Sequence, residues 1–266
     1  MTDPSETLID VDGIPGFWEA VRAAPHRCLV LDYDGTLAPF HVDRMKARPL
    51  EGIVELLTAI RDETDTYLAI MTGRPLRELL ALVGDLDIPV SASQGSEFMY
   101  PDGRHEALVP SERQRERLDR AEEEARARAH GGRVERKIAG VALHTRGVDP
   151  EAAESVEREI CSVWEADAHD YGLDCRRFNG GIELRLKGID KGTALSALLE
   201  GRAPDGLCVY LGDDETDEDA LLVLRGHGYG IKVGRPDTPT YAEGRLADPE
   251  KVREFLKAWI NVTRKR

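Results

Sequence analysis

Short apolar runs alternate along this chain with stretches in which apolar residues recur every three or four positions. Cys28–Leu31, Tyr67–Met71, Ile88–Ser91 and Leu207–Leu211 read as buried strands. Such near-continuous runs suit strands covered on both faces. Ile53, Leu56, Leu57 and Ile60 keep helical spacing after Pro49, and Leu76, Leu79, Leu80 and Val83 do so after Pro75. Each proline is expected to open its helix, where a missing N–H costs nothing. A short helix over Asp12–Ala24 is expected to lead into the first strand. Helices over Lys191–Leu199, about Glu215–Leu224 and Pro249–Ile260, with a strand at Tyr229–Val233, complete the alternation. Strand–helix alternation of this kind predicts a parallel sheet.

The pattern changes after Ser93. Ser96–Glu106, with Pro101-Asp102-Gly103, predicts a hairpin. Ser111–His130 is dense in Arg and Glu and predicts a helix, either solvent-exposed or packed lightly on a small sheet, that ends at Gly131-Gly132. Strand-like alternation follows from Val134 to Leu143, and Asp149-Pro150 opens a helix running to about Asp170. Leu173–Phe178 and Gly181–Leu186 flank Asn179-Gly180, a strong hairpin signal. The expected fold class is therefore α/β: a parallel-sheet core from residues 1–103 and 187–266, with an α+β domain inserted over 104–186.

Charge then narrows the partners. The chain has 266 residues, an ordinary 41% hydrophobic content and a net charge of −14. That balance disfavours nonspecific binding to nucleic acid or to an anionic membrane. An acidic protein that binds an anion needs local cations or a metal to do so. The four cysteines, Cys28, Cys161, Cys175 and Cys208, show no C-x-x-C spacing, and nothing in the spacing suggests a disulfide framework or a zinc site. Met1–Asp12 is polar and acidic, unlike a signal peptide. No apolar stretch approaches the length of a membrane span, and a cytoplasmic location is the expectation.

Polar motifs stand at three of the predicted strand ends: Asp32-Tyr33-Asp34-Gly35-Thr36, Thr72-Gly73-Arg74 and Gly212-Asp213-Asp214-Glu215-Thr216-Asp217-Glu218. Lys191 begins the helix before the last of these strands. Doubly wound sheets carry their chemistry at the carboxyl ends of strands, and Gly35 would let the chain turn so that Asp32 and Asp34 converge. Each motif has a plainer reading alone. Asp and Gly form turns, Thr-Gly-Arg can be a turn, Asp190-Lys191-Gly192 can be solvated, and acidic residues suit a helix start. Their joint order along the chain is what points to chemistry.

In these four tracts the chain resembles the haloacid-dehalogenase superfamily of phosphatases. The resemblance implies a Rossmann-like core with an inserted cap, an aspartate nucleophile and Mg²⁺. By it Asp32, Asp34 and Lys191 are the catalytic candidates, with Thr72, Gly73 and Lys191 binding phosphate. Asp32, Asp213 and Asp34, the last through a nearby backbone carbonyl, would hold the metal, with Asp214 and Asp217 as supporting acids. The chemistry is consistent. A phosphate dianion repels a bare carboxylate, a cation removes that repulsion, and oxygen ligands favour a hard ion such as Mg²⁺. Asp32 would attack phosphorus to give an aspartyl-phosphate. Asp34 would protonate the leaving alkoxide and then activate water.

Within the superfamily the chain is most similar to trehalose-6-phosphate phosphatases. The similarity lies in Asp32–Pro39, Gly212–Ala220, Glu135-Arg136-Lys137, His144-Thr145-Arg146, Glu183-Leu184-Arg185 and the tail Gly234–Leu256. It implies a small-molecule sugar-phosphate substrate. Glu135, Lys137, Arg146 and Glu183 in the cap, and Arg74 and Glu97 in the core, are then candidates to contact the sugar; carboxylates accept from hydroxyls. The chain departs from the family pattern at Thr72 (usually Ser), Gln94 (His), Thr145 (Tyr) and Leu186 (Pro). None of these removes a group that hydrolysis needs. The alternatives are a phosphatase for another glycoside, such as glucosyl- or mannosyl-3-phosphoglycerate, and a non-catalytic sugar-phosphate sensor. The crossovers near 100–106 and 186–190, with Gly103 and Gly188, are the expected hinges for cap closure.

Overall fold

The computed structural model describes residues 8–129, 131–200, 206–235 and 239–265. The N-terminal stretch before Leu8, His130 at the expected end of the charged helix and part of the family-like tail lie outside the described residues. Two compact units emerge. One comprises the described residues of 1–105 and 190–266, the other Glu106–Ile189.

The first unit opens with β1 (Arg27–Leu31), β2 (Thr66–Met71), β3 (Val90–Ala92) and β4 (Glu97–Met99), and β5 (His105–Ala107) spans the boundary into the second. The inserted strands β6 (Arg133–Arg136), β7 (Gly140–His144), β8 (Leu173–Phe178) and β9 (Gly181–Leu186) follow in chain order, then β10 (Leu207–Gly212), β11 (Gly228–Val233) and β12 (Gly244–Leu246). The larger sheet has the order β12-β11-β10-β1-β2-β3-β4-β5. Its pairs are parallel from β12 to β3, and β4 returns antiparallel to β3. This confirms the parallel-sheet α/β class. The chain leaves β1 toward β2 and β3, then builds β10, β11 and β12 on its other side. The β1–β10 seam is thus a topological switch point, where such sheets open a crevice for ligands.

The helices are α1 (Phe17–Ala23), α2 (Ile53–Glu63), α3 (Leu76–Val83), α4 (Glu112–Arg128), α5 (Pro150–Ala168), α6 (Lys191–Leu199), α7 (Glu218–Leu224) and α8 (Pro249–Thr263). Alternation along β1 explains its double coverage. Leu29 and Leu31 join a core with Phe17, Ile53, Leu57 and Trp259 of α1, α2 and α8. Cys28 and Val30 face Leu195 and Leu221 of α6 and α7. The buried cysteines Cys28 and Cys208 are small core residues paired across β1 and β10.

Several boundaries depart from the expectation. Helix α2 begins at Ile53, not Pro49. Gly52, at φ 86°, cannot be helical, and Leu50 N–H donates to the Leu37 carbonyl. The helix expected over Asp12–Ala24 is a 3₁₀ turn, Val11–Gly13, followed by α1, with left-handed Gly16 between them. Glu215–Asp217 is likewise a 3₁₀ turn before α7. On α3 it is Leu82 that is buried, whereas Leu80 is half-buried. Strand β12, a three-residue edge, had no pattern to announce it.

In the inserted unit α4 and α5 pack on a four-stranded antiparallel sheet, order β6-β7-β9-β8. The expected run from Val134 to Leu143 is two strands, with Lys137 N–H closing the turn on the Gly140 carbonyl. Helix α4 starts with a capping box, Ser111 and Gln114. It buries Leu118, Ala121 and Ala125 against Val141, Leu143, Trp164, Ile182 and Leu184, so it is packed, not merely solvated. Arg117 is buried beside them. Its charge is met by Asp167 at 2.6 Å and Glu124 at 3.2 Å. Among the described residues, no helix is long and apolar enough to cross a membrane.

Candidate active site

Register brings the polar motifs together. Leu31 pairs with Leu211 on one side and Ile70 on the other. Asp32, Thr72 and Asp213, the residues just past each strand or one beyond, therefore emerge side by side. Asp32 N–H still donates to the Leu211 carbonyl at 2.9 Å, which holds the aspartate at the strand end.

Lys191 is the centre of the cluster. It is the first residue of α6, behind the cap Asp190, and is only 2% exposed. Its Nζ donates to Asp32 Oδ1 and to Asp217 Oδ1, both at 2.6 Å. Burial opposes its charge, but Asp217 and Asp32 outweigh that and raise its pKa. The ammonium is therefore permanent at neutral pH.

Asp217 is fully committed. Oδ1 accepts from Lys191 and from the Tyr210 hydroxyl. Oδ2 accepts from the backbone N–H groups of Asp213 and Asp214 at 3.0 and 2.9 Å. Burial alone would raise its pKa, but Lys191 and these donors lower it. Four donors on two oxygens leave no lone pair for another ligand. Asp217 thus orders Lys191 and the Asp213 loop.

Asp32, Asp213 and Asp217 offer carboxylate oxygens within 4.8 Å of one another, a grouping that can hold a metal ion. Asp217's saturation leaves Asp32 and Asp213 as the carboxylates with capacity to spare. Asp213 Oδ1 is buried without a partner. Burial, then the charges of Asp32 and Asp217, push the Asp213 pKa well up. Burial also pushes Asp32 up, with Asp217 adding to it and Lys191 opposing. With all three carboxylates ionised, the single ammonium leaves an excess of two negative charges, which is why burial pushes Asp32 and Asp213 up. The donor set, all oxygen, fits a hard divalent cation. The missing side chain at Gly35 makes room for the Asp213 carboxylate: a Cβ there would lie 2.3 Å from Asp213 Oδ2.

Asp34 does not join this grouping through its side chain. Its two oxygens accept from Arg74 Nε and Nη2, each at 2.6 Å. A bidentate pair of that kind fixes the orientation of the Asp34 side chain. Arg74 also lies over the Tyr33 ring, 5.3 Å from its centre, and Tyr33 donates its hydroxyl to the Ala47 carbonyl. Of the remaining core candidates, Thr72 is buried and accepts from Arg74 N–H at 3.1 Å. Gly73 lies against Gln94, whose Nε2 would be 2.6 Å from a Cβ there. Ser93 and Gln94 are both left-handed, at φ 50° and 60°. Their N–H groups donate to the carbonyls of Arg74 and Thr72. Glu97 is buried and accepts from Ser93 Oγ at 2.6 Å. Asp214 caps the following turn through Glu215 N–H.

Two contributors escaped the sequence reading. Tyr210 braces Asp217 from the strand before it. Lys232 is buried, and its Nζ reaches the Asp214 carbonyl and Glu218, both at 2.9 Å. A lysine near the end of the apolar strand Gly230-Ile231-Lys232-Val233 was the available signal.

In the inserted unit, the sheet carries a second set of buried charges. Lys137 Nζ meets Glu183 Oε1 at 3.0 Å. His144 Nε2 lies 2.7 Å from Glu135 Oε2. Burial lowers the His144 pKa to about 4 although Glu135 opposes it, so the imidazole is neutral and donates to the carboxylate. Arg146 instead reaches the hairpin turn, donating to the Asn179 carbonyl at 2.6 Å. Thr145 donates to Glu157, which also pairs with Arg177 at 2.9 Å.

The wider likeness agrees with this geometry. A sequence model described as trehalose-phosphatase matches residues 30–250. Trehalose-phosphate phosphatase B of Arabidopsis thaliana is 32% identical over 94% of this chain and 71% of its own length. The bifunctional trehalose-6-phosphate synthase/phosphatase of Thermoproteus tenax is 33% identical over 88% of this chain, which spans only 32% of that longer protein. The C-terminal domain of Candida albicans trehalose-6-phosphate phosphatase shares the fold, with a TM-score of 0.84 over 96% of this chain and 98% of that one, at 22% identity. A haloacid dehalogenase-like hydrolase from Bacteroides thetaiotaomicron does so at a TM-score of 0.62 over 87% and 98% of the two chains, at 18% identity. With its phosphatase motifs set at the strand ends of such a core, the chain belongs to the trehalose-phosphatase family.

Proposed function

We propose that this enzyme hydrolyses trehalose 6-phosphate to trehalose and phosphate through an aspartyl-phosphate on Asp32, with Mg²⁺ as its metal. The observation that carries the reading is the knot of Asp32, Lys191, Asp213 and Asp217, which brings one ammonium to three carboxylates. Asp32 and Asp213, with the backbone carbonyl near Asp34, would hold the ion. Bound there, Mg²⁺ supplies neutralisation of the substrate dianion and polarisation of the phosphoryl group.

The residues then divide the work. Lys191 and the Thr72 hydroxyl bind phosphoryl oxygens, with Gly73 leaving room beside them. Asp32 attacks phosphorus as the ester oxygen departs. Asp34 gives that oxygen a proton and later takes one from the water that cleaves the acyl-phosphate. The bidentate Arg74 pair takes one lone pair on each Asp34 oxygen and leaves the other to carry the proton. Glu135, Lys137, Glu183 and Arg146 are the proposed sugar contacts of the inserted unit, and Glu97 that of the core.

The test is phosphate release from a panel of trehalose 6-phosphate, glucose 6-phosphate and glucosyl-3-phosphoglycerate, with Mg²⁺ and with chelator. The expected result is Mg²⁺-dependent turnover with the highest kcat/KM on trehalose 6-phosphate. A higher value on the phosphoglycerate glycoside would overturn the sugar assignment. Absence of turnover on every member would overturn the phosphatase reading.

A further inference from the structure

Cys161 and Cys175 are fourteen residues apart in sequence, yet their Sγ atoms lie 2.7 Å apart. Cys161 is on α5 and Cys175 on β8, two elements that pack together within the inserted unit. Both are free thiols and neither is sealed in the core. A disulfide needs about 2.05 Å between sulfurs, so the bond requires well under an ångström of approach. We propose that this pair is an oxidation site, which a peroxide converts to a disulfide that ties α5 to β8.

The chemistry balances with the peroxide as oxidant. The Cys161 thiolate attacks one peroxide oxygen, the O–O bond breaks, and a sulfenic acid and hydroxide result. The Cys175 sulfur then attacks the Cys161 sulfur; the S–S bond forms, the S–O bond breaks, and water leaves. Two thiols and one hydrogen peroxide give one disulfide and two waters. Cys161 is assigned the first step because Cys175 is the more strongly affected by burial, which pushes both thiols up. Glu165, one turn along α5, also disfavours the Cys161 thiolate, and Arg177 on β8 favours it. With a small thiolate fraction the first step is slow at neutral pH and faster as pH rises. Adjacency makes the second step fast, so the disulfide outcompetes further oxidation.

Cys28 and Cys208 serve as internal controls, since both are buried between sheet and helices. The full chain is treated with hydrogen peroxide, alkylated under denaturing conditions and peptide-mapped without reduction. The expected product is a single intramolecular Cys161–Cys175 link, two hydrogens lighter, with Cys28 and Cys208 alkylated and the link reversed by dithiothreitol. Unfolding of the linked protein should shift up by about 5–10 °C. Cys161→Ser and Cys175→Ser should each abolish the link and the shift while leaving the reduced protein's Tm within a few degrees. Sulfinic acid at Cys161 without a link, a disulfide between two chains, or four unreacted thiols would each overturn the proposal.

Discussion

In the core, Asp32 and Asp217 share one ammonium with Asp213 beside them, whereas on the inserted sheet Lys137 has its own counterpart in Glu183, and Glu135 accepts from a neutral His144. Both sets are buried, and both join residues from different strands. They differ in what they lack. The Lys137–Glu183 pair is balanced and can persist as it stands. Among the described residues the core set brings one ammonium to three carboxylates, and one of its oxygens, Asp213 Oδ1, has no hydrogen-bond partner. Burial makes that imbalance costly, and an added cation removes the cost. A balanced ion pair holds structure together; an unbalanced cluster of this kind could hold a metal ion.

The comparison can be broken from its strong end first. Asp32→Asn should reduce turnover at least about 10³-fold while leaving the circular dichroism spectrum intact. Surviving turnover would refute Asp32 as nucleophile. Asp217→Asn should cost about 3–5 kcal/mol in urea unfolding, since it removes one of the two carboxylates that hold buried Lys191 and loosens the Asp213 loop. On the inserted sheet, Lys137→Met should cost a similar or slightly smaller amount, about 3 kcal/mol. The double variant Lys137→Met with Glu183→Gln should recover most of it. An additive double variant would mean that the pair is not coupled.

Two smaller effects sharpen the contrast. His144 has a folded pKa near 4 against an ordinary 6.5. Its neutral burial therefore contributes fully above about pH 6.5 and is lost as pH falls toward 4. The loss should be on the order of 3 kcal/mol and absent in His144→Gln. Asp213 has the opposite sign. Its raised pKa penalises the metal-free fold increasingly as pH rises above the ordinary carboxylate range. Asp213→Asn should therefore stabilise the metal-free protein by roughly 1–2 kcal/mol at neutral pH. The same change should remove the rise in Tm that Mg²⁺ gives the parent chain. A wild-type Tm indifferent to Mg²⁺ would refute the metal reading.

The core was legible because its strands are continuous apolar runs that stop at their chemistry. Cys28–Leu31 ends at Asp32, and Leu207–Leu211 ends one residue before Asp213, so burial and motif could be read together. The Asn179-Gly180 hairpin and the Asp149-Pro150 helix start were equally plain. What stayed hidden depends on partners remote in sequence. Asp217 reads as one acid among many until Lys191, 26 residues earlier, is seen to reach it. Arg74 gives no sign that it holds Asp34, 40 residues away. Local pattern misplaced the start of α2 because Pro49 looked suitable, while Leu50 is tethered to Leu37. Thr145 and Leu186, two departures in the inserted unit, have places of their own, one against Glu157 and the other in the small core.

The close approach at Gly35 bears on how silent relatives would arise. The space where a side chain would begin is already filled by the Asp213 carboxylate. A single added methyl there, from a one-step Gly35→Ala change, would displace that carboxylate and also strain a backbone at φ 77°. Such a chain would keep every charged residue of its motifs, and on the proposed mechanism it should lose Mg²⁺-dependent turnover. An inventory of acids and lysines alone would not register that change.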